Sequence, residues 1–261
     1  MPDSFLLHLP TAPTIPIVAS VPHSGLLIPK EILGTLEASH QYYLPNQDWH
    51  LDKLYDFLPH LGITVLQAIY SRYVVDLNRS LQEPLLGNFW QSVVAETTAF
   101  NTAIYRTPPS REEVEQRVEQ YYRPYHQQLQ TLLNEKIEQF GKVYLLDLHS
   151  FLGLIEDKIC LGNGNGATCS EQFISVVETA FCSQGYQVVR NKAFSGGYIT
   201  RYYGQMPQVE ALQIEVRYPV YLDVNQLDRA SVPNWQVPEF DDAKRKFEST
   251  FEQITQTLVA A

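Results

Sequence analysis

Leu145-Leu146-Asp147-Leu148-His149-Ser150 is an apolar run that ends in Asp-x-His-Ser, and it has two companions. Ile17-Val18-Ala19-Ser20-Val21 runs straight into Pro22-His23-Ser24-Gly25, and Ala211-Leu212-Gln213-Ile214 into Glu215-Val216-Arg217. Short apolar runs bounded by turn residues are the mark of buried strands. Open α/β sheets present their reactive groups at the carboxyl ends of such strands. Two imidazoles and a carboxylate brought to one edge suit a hydrolytic zinc site, with ring nitrogens as metal ligands and a glutamate to move a proton.

Each of these residues also has a plainer role to weigh. A lone buried histidine is more often packed than ligating, but Pro22 and Ser24-Gly25 break the strand around His23 and open a turn at its ring. His149 alone would pass for a polar strand end; two histidines on separate strand ends favour ligation. The third ligand is expected at Asp48, although an Asp ahead of a helical pattern is usually a cap, and His50 and Asp52 remain alternatives. Alternate strand residues share a face, so an ion pair between Glu215 and Arg217 is as open on geometry as catalysis. A fourth run, Tyr73-Val74-Val75-Asp76-Leu77, leads into Asn78-Arg79. A guanidinium at a strand end can clasp a carboxylate through its planar fork.

These side chains need a scaffold. Strands are expected at 15–21, 63–68, 73–77, 143–148, 158–161, 186–190 and 209–216. Between them, apolar groups recur at helical spacing over 49–58, with Asp48 as the cap, and over 110–140, 172–181 and 243–258. Ser110-Arg111-Glu112-Glu113 has capping-box spacing, and Pro124 is expected to kink or break the long helix. Alternating strands and helices predict an α/β three-layer sandwich with a mixed, mainly parallel sheet flanked by helices. With 261 residues, no repeat and no linker, residues 1–261 are read as one domain.

Composition excludes several classes. Hydrophobic residues make up 44% and charged residues 18%, which rules out disordered and fibrous chains. A net charge of -10 argues against nucleic acid or an anionic membrane as a partner. No stretch approaches a membrane span, and Met1–Pro10 lacks the features of a signal leader, so a cytoplasmic location is expected. Three cysteines, Cys160, Cys169 and Cys182, show no CxxC spacing and read as free thiols. Gly162-Asn163-Gly164-Asn165-Gly166 lacks the Gly-Lys-Ser/Thr of a phosphate loop and reads as a turn. Ser24 and Ser150 sit in no G-x-S-x-G elbow, which argues against a serine hydrolase. His8, His40, His60 and His126 fall in no motif.

The order His23, then Asp76-Leu77-Asn78-Arg79, then Asp147-Leu148-His149-Ser150, then Glu215-Val216-Arg217 resembles the zinc carboxypeptidases of the carboxypeptidase A type. In those enzymes a glutamate ligand follows the first histidine by three residues; here that position is Leu26. A closer resemblance is to the N-formylglutamate amidohydrolase family. It is carried by Pro22-His23-Ser24-Gly25 with Ile28-Pro29, by Asp48-Trp49-His50-Leu51-Asp52-Lys53-Leu54-Tyr55-Asp56 and by Ser71-Arg72-Tyr73-Val74-Val75-Asp76-Leu77-Asn78-Arg79. Gly196-Gly197-Tyr198-Ile199-Thr200-Arg201-Tyr202-Tyr203-Gly204 and Ala211-Leu212-Gln213-Ile214-Glu215 extend it, so that it spans about residues 15 to 225.

The resemblance implies a zinc-carboxypeptidase-like fold and hydrolysis of N-formyl-L-glutamate to formate and glutamate, the last step of one histidine-degradation route. It implies one zinc held by His23, Asp48 and His149, and Glu215 as general base. Arg72 is expected at the developing oxyanion. Asn78, Arg79 and Arg201 are expected to bind a small anionic N-acyl amino acid; three arginines in the matched motifs of an acidic chain are better explained by an anionic substrate than by chance. Two rivals remain: a related zinc amidase or carboxypeptidase acting on another N-acyl amino acid or short peptide, and a metal-free anion-binding relative.

Overall fold

The computed structural model describes residues 4–153 and 155–259, built around a seven-stranded sheet. The strands are β1 (Phe5–His8), β2 (Ile17–Val21), β3 (Thr64–Ala68), the two-residue pair β4 (Leu86–Gly87) and β5 (Val94–Ala95), β6 (Val143–Phe151), β7 (Ile159–Gly162), β8 (Val188–Arg190) and β9 (Val209–Arg217). The helices are α1 (Lys30–Leu33), α2 (Leu51–Leu54), α3 (Arg111–Arg117), α4 (Arg123–Phe140), α5 (Glu171–Ser183), α6 (Tyr198–Tyr203) and α7 (Pro238–Val259).

The sheet order is β1-β3-β2-β6-β9-β7-β8, with β4 and β5 pairing separately. β3, β2, β6 and β9 run parallel at the centre. β1 is antiparallel to β3, β7 is antiparallel to β9, and β8 is parallel to β7. The sheet is therefore mixed and mainly parallel, as expected. Parallel strands need crossovers that cover both faces, and β2 and β6 are buried along their whole length. On one face Leu146, Leu148, Leu212 and Ile214 pack with Phe173 and Phe181 of α5 and Phe247 and Phe251 of α7. On the other, Val143, Leu145 and Ala211 pack with Tyr125, Leu129 and Leu133 of α4 and Ile199 of α6.

Several elements differ from the sequence expectation. Residues 73–77 form no strand but a buried, irregular segment. β1, which the sequence did not reveal, takes one edge of β3, and β2 takes the other; the 73–77 run pairs with neither. The helix expected over 49–58 starts only at Leu51, because His50 adopts a left-handed conformation (φ 58°) just ahead of it, and ends at Leu54, where Tyr55 leaves the helical region. The turn at His50 separates Asp48 from the helix, and no side chain caps α2. The last helix begins at Pro238 rather than at Ala243.

The capping box at Ser110 forms: its Oγ accepts from Glu113 N at 3.3 Å, and Glu113 Oε2 accepts from Ser110 N at 2.7 Å. The long helix is interrupted next to Pro124, as expected. A π-helical turn over Val118–Tyr122 separates α3 from α4, and Pro124 lies in the first turn of α4. Proline lacks the N–H that would bond the carbonyl one turn upstream, so the irregularity falls in the turn before it. No helix among the described residues is long and apolar enough to cross a membrane.

Candidate active site

Because β2, β6 and β9 are parallel, their carboxyl ends reach the same edge of the sheet. The chain passes from β2 to β3 on one side and later to β6 on the other, so β2 and β6 flank the point where strand order reverses. Open α/β sheets bind ligands at such a crevice. His23 lies just beyond β2, and the turn that carries it packs against the 69–70 backbone. A Cβ on Gly25 would sit 2.4 Å from the carbonyl carbon of Ile69, so only glycine allows that approach.

Alternation along β6 and β9 supplies the rest. Val143, Leu145, Asp147 and His149 share one face of β6, and Val209, Ala211, Gln213 and Glu215 the same face of β9. That face begins apolar and turns polar towards the carboxyl ends. In the ladder His149 stands directly opposite Glu215.

Asp48 Oδ2 lies 3.1 Å from His149 Nδ1 and 3.6 Å from His23 Nδ1. All three residues are buried, and their candidate ligand atoms lie within 4.8 Å of one another. His23 Nδ1 is buried without a hydrogen-bond partner. The far ring nitrogens face carboxylates: His23 Nε2 bonds Asp76 Oδ1 at 2.7 Å, and His149 Nε2 lies 2.9 Å from Asp147 Oδ1 as a charge contact outside hydrogen-bond geometry. Carboxylates behind imidazoles fix ring orientation and raise ligand basicity. An orphaned imidazole nitrogen aimed at a second imidazole and a carboxylate fits a small divalent cation with nitrogen and oxygen ligands.

The two alternatives for the third position point elsewhere. His50 Nε2 bonds the Pro233 carbonyl at 2.8 Å, and Asp52 pairs with Lys53 at 2.9 Å. Asp48 thus supplies in space the carboxylate that the chain lacks at Leu26, which is partly exposed.

The electrostatics follow from burial and charge. Burial alone would raise the Asp48 and Asp76 carboxyls. His149 and His23 outweigh it at Asp48, and Arg72, His23 and Arg79 at Asp76, so both are held below the usual carboxylate range. His149 is pushed up: burial disfavours its charge, but Asp147, Asp48 and Glu215 more than offset that. Glu215 goes the other way from the aspartates. Burial raises its carboxyl to about 8, with His149 opposing and Asp48 adding to the rise. Its Oε1 accepts from Gln213 Nε2 at 2.6 Å, while Oε2 is buried without a partner. Arg217 does not pair with it; its Nη1 donates to the Glu156 carbonyl at 3.3 Å.

A cavity of about 580 Å³ opens over this cluster, and His23, Asp48, His149 and Glu215 lie on its wall with Arg72, Asn78 and Arg79. Arg72 donates to Asp76 Oδ2 at 2.6 Å, which couples it through Asp76 to His23. Arg79 bonds the Asn78 and Phe89 carbonyls, and the Nε atoms of both arginines are buried without partners. Asn78 is tied at both ends, with Nδ2 3.1 Å from His149 Nε2 and Oδ1 accepting from Ile199 N at 2.8 Å. A Cβ on Gly197 would come within 2.3 Å of that amide, so glycine permits the close seating of α6.

Arg201 is not brought into the cavity. It is exposed on α6, where its guanidinium donates to the Gly196 carbonyl at 2.7 Å and to Ser195 Oγ at 2.7 Å. It braces the turn that forms one cavity wall. Asp147 and Gln213 were missed as supporting residues by the sequence reading. The i, i+2 spacing to His149 and Glu215 was the available signal, since it places each pair on one strand face.

By fold and site the chain is an α/β sandwich protein with a candidate His–Asp–His metal centre at the sheet's carboxyl edge. Residues 15–222 match the family model of N-formylglutamate amidohydrolase, and the chain belongs to that family. It is 35% identical over 224 residues to the N-formylglutamate deformylase of Pseudomonas putida, covering 80% of this chain and 82% of the relative. It is 37% identical to the N-formylglutamate deformylase of Pseudomonas aeruginosa, covering 80% and 83%. A crystal structure of N-formylglutamate amidohydrolase from Ralstonia eutropha superposes with a TM-score of 0.80 at 26% identity, over 97% of this chain and 96% of that one. A gene product of Agrobacterium tumefaciens shares the fold at 17% identity and a TM-score of 0.73, over 99% and 97%.

Proposed function

We propose that this chain is a zinc-dependent amidohydrolase that cleaves the formyl amide of N-formyl-L-glutamate to formate and L-glutamate. The observation that carries the reading is Glu215, buried with one free carboxylate oxygen and set across the ladder from His149, in a cavity shared with two inward-facing arginines. The relatives named N-formylglutamate deformylase supply the substrate.

His23, Asp48 and His149 would hold the metal, through the two Nδ1 atoms and a carboxylate oxygen. A bound zinc would supply Lewis acidity and make water a nucleophile near neutral pH. Asp76 and Asp147 keep the two rings aimed. Glu215 Oε2 takes a proton from the attacking water as its oxygen bonds to the formyl carbon. The same carboxyl returns that proton to the departing nitrogen as the C–N bond breaks. Gln213 holds the other oxygen still meanwhile. Arg72 is close enough to the histidines, through Asp76, to meet negative charge developing on the formyl oxygen. Arg79 takes the α-carboxylate. Arg201 serves the distal carboxylate only through the turn that it braces.

Formate release from N-formylglutamate and N-formylglutamine, which differ in the distal charge, tests the reading. Loss of the distal charge should lower kcat/KM, since the arginines on the cavity wall favour the dianionic substrate. Arg79→Lys should be damaging, since an ammonium lacks the planar fork, whereas Arg201→Ala should cost less. Equal turnover of both substrates would remove N-formylglutamate as the substrate.

A further inference from the structure

The segment carrying Asp76, Asn78 and Arg79 is neither strand nor helix, so its buried carbonyls must be satisfied from outside. They are met from the α3–α4 helix pair. Tyr122 Oη donates to the Arg79 carbonyl at 2.7 Å, and His126 Nε2 lies 2.9 Å from the Leu77 carbonyl. Arg117 Nη1 donates to the Val74 carbonyl at 3.5 Å. Only Pro124's neighbourhood makes this geometry available. In a regular α-helix, residues 117 and 122 would lie about 140° apart around the axis. The π turn over Val118–Tyr122 closes i→i+5 in place of i→i+4 bonds, which swings Tyr122 back towards the side of Arg117, and both side chains reach the segment. His126 follows Tyr122 at the i+4 spacing of α4.

The His126 ring is itself held. Its Nδ1 lies 3.0 Å from Tyr203 Oη, it stacks on Tyr203 with planes 8° apart, and Tyr122 lies 4.2 Å away between ring centres. Burial lowers its pKa to about 4. The neutral ring therefore persists near neutral pH, with Nε2–H directed at Leu77 and Nδ1 facing the Tyr203 hydroxyl, which also donates to the His126 carbonyl at 3.0 Å. None of these groups touches the cavity. π turns of one bulge are frequent at functional sites.

We propose that Tyr122 and His126 are positioning residues for substrate recognition. They hold the Leu77 and Arg79 carbonyls so that Asn78 and Arg79 meet the substrate carboxylate already in binding geometry. The inference rests on the proposed function for the identity of the carboxylate. Preorganisation of this kind lowers the cost of binding rather than the chemical barrier.

The test uses Tyr122→Phe, His126→Leu and His126→Gln, the last of which keeps an N–H donor for Leu77. Tyr122→Phe and His126→Leu should raise KM for N-formylglutamate by roughly 3- to 10-fold, the worth of one buried hydrogen bond, with kcat little changed. His126→Gln should recover most of the loss. The dissociation constant for L-glutamate, measured by calorimetry, should rise by the same factor, and metal content should stay at the wild-type level. Variants with a lower melting temperature but unchanged KM and glutamate affinity would overturn the inference, as would loss of kcat and metal together. If the wild type binds glutamate but does not hydrolyse N-formylglutamate, the proposed function fails while the affinity comparison still decides this inference. A wild type that binds no dicarboxylate overturns both.

Discussion

The two faces of the sheet are built from the same strands yet end differently. Under α5 and α7 the rows of β6 and β9 stay apolar through Leu148, Ile214 and Val216, and only Ser150, bonded by Tyr221, follows on β6. Under α4 and α6 the rows turn polar halfway, at Asp147 and Gln213, and continue polar through His149 and Glu215. A strand's side chains alternate between faces, so one strand can serve stability on one side and chemistry on the other. The difference shows where the burial of charge is tolerated. Asp147 is fully buried, with Thr200 of α6 donating to its Oδ2 at 3.0 Å and His149 close to its Oδ1. On the opposite face the covering helices present phenylalanines, and the polar pair there is the uncharged Ser150–Tyr221 contact. Buried ionisable groups that are strongly perturbed and grouped in a cleft are the expected signature of a functional site.

The comparison breaks most sharply if the polar face can lose its histidines without consequence. Chelation, or His23→Ala or His149→Ala, should take activity to background and remove the bound metal together. Elemental analysis alongside a formate assay checks this, and full metal occupancy in both variants would move the site elsewhere. On the apolar face, Phe247→Ala should behave in the opposite way. It should cost about 3–5 kcal/mol of stability in denaturant unfolding, with kcat/KM unchanged where the variant is folded. A loss of catalysis there would mean that the faces are not separable.

Glu215→Gln keeps shape and should keep metal and substrate binding, while turnover falls on the order of 10² or more. Near-normal turnover would leave Glu215 a buried structural group. The smallest expected effect is a pH trend in metal-depleted protein. Glu215 and His149 both hold protons more tightly when folded, Glu215 up to about 8. A raised pKa contributes stability that is present at low pH and lost as pH rises through the folded value. The melting temperature should therefore decline as pH goes from about 5 to about 8. Glu215→Gln should flatten the decline, and metal should oppose it by favouring the ionised glutamate. A melting temperature that rises over that window would show that the two groups are not held as described.

Much of this site was legible because it rests on local signals. Strand ends at His23, His149 and Glu215 follow from apolar runs stopped by polar or turn residues. The capping box follows from a three-residue spacing. The fold class follows from alternating strand and helix periods, and the family from motifs spread along most of the chain. What stayed open depended on competition through space. Asp48, His50 and Asp52 lie within five residues, and nothing local ranks them. The left-handed turn at His50 turns Asp48 towards the two imidazoles and sends His50 to Pro233.

The sequence by itself determined which residues could do chemistry and which strands would carry them, because side-chain periodicity is a local property. Only the tertiary structure decided who stands opposite whom. It set His149 across from Glu215, faced the histidines with Asp76 and Asp147, and left Arg201 outside the cavity as a brace. It also kept 73–77 out of the sheet, with β1 and β2 on the two edges of β3. Hydrogen-bond partners across the sheet are fixed by which edge is free and which turn packs close. Neither is encoded in the spacing of any one segment.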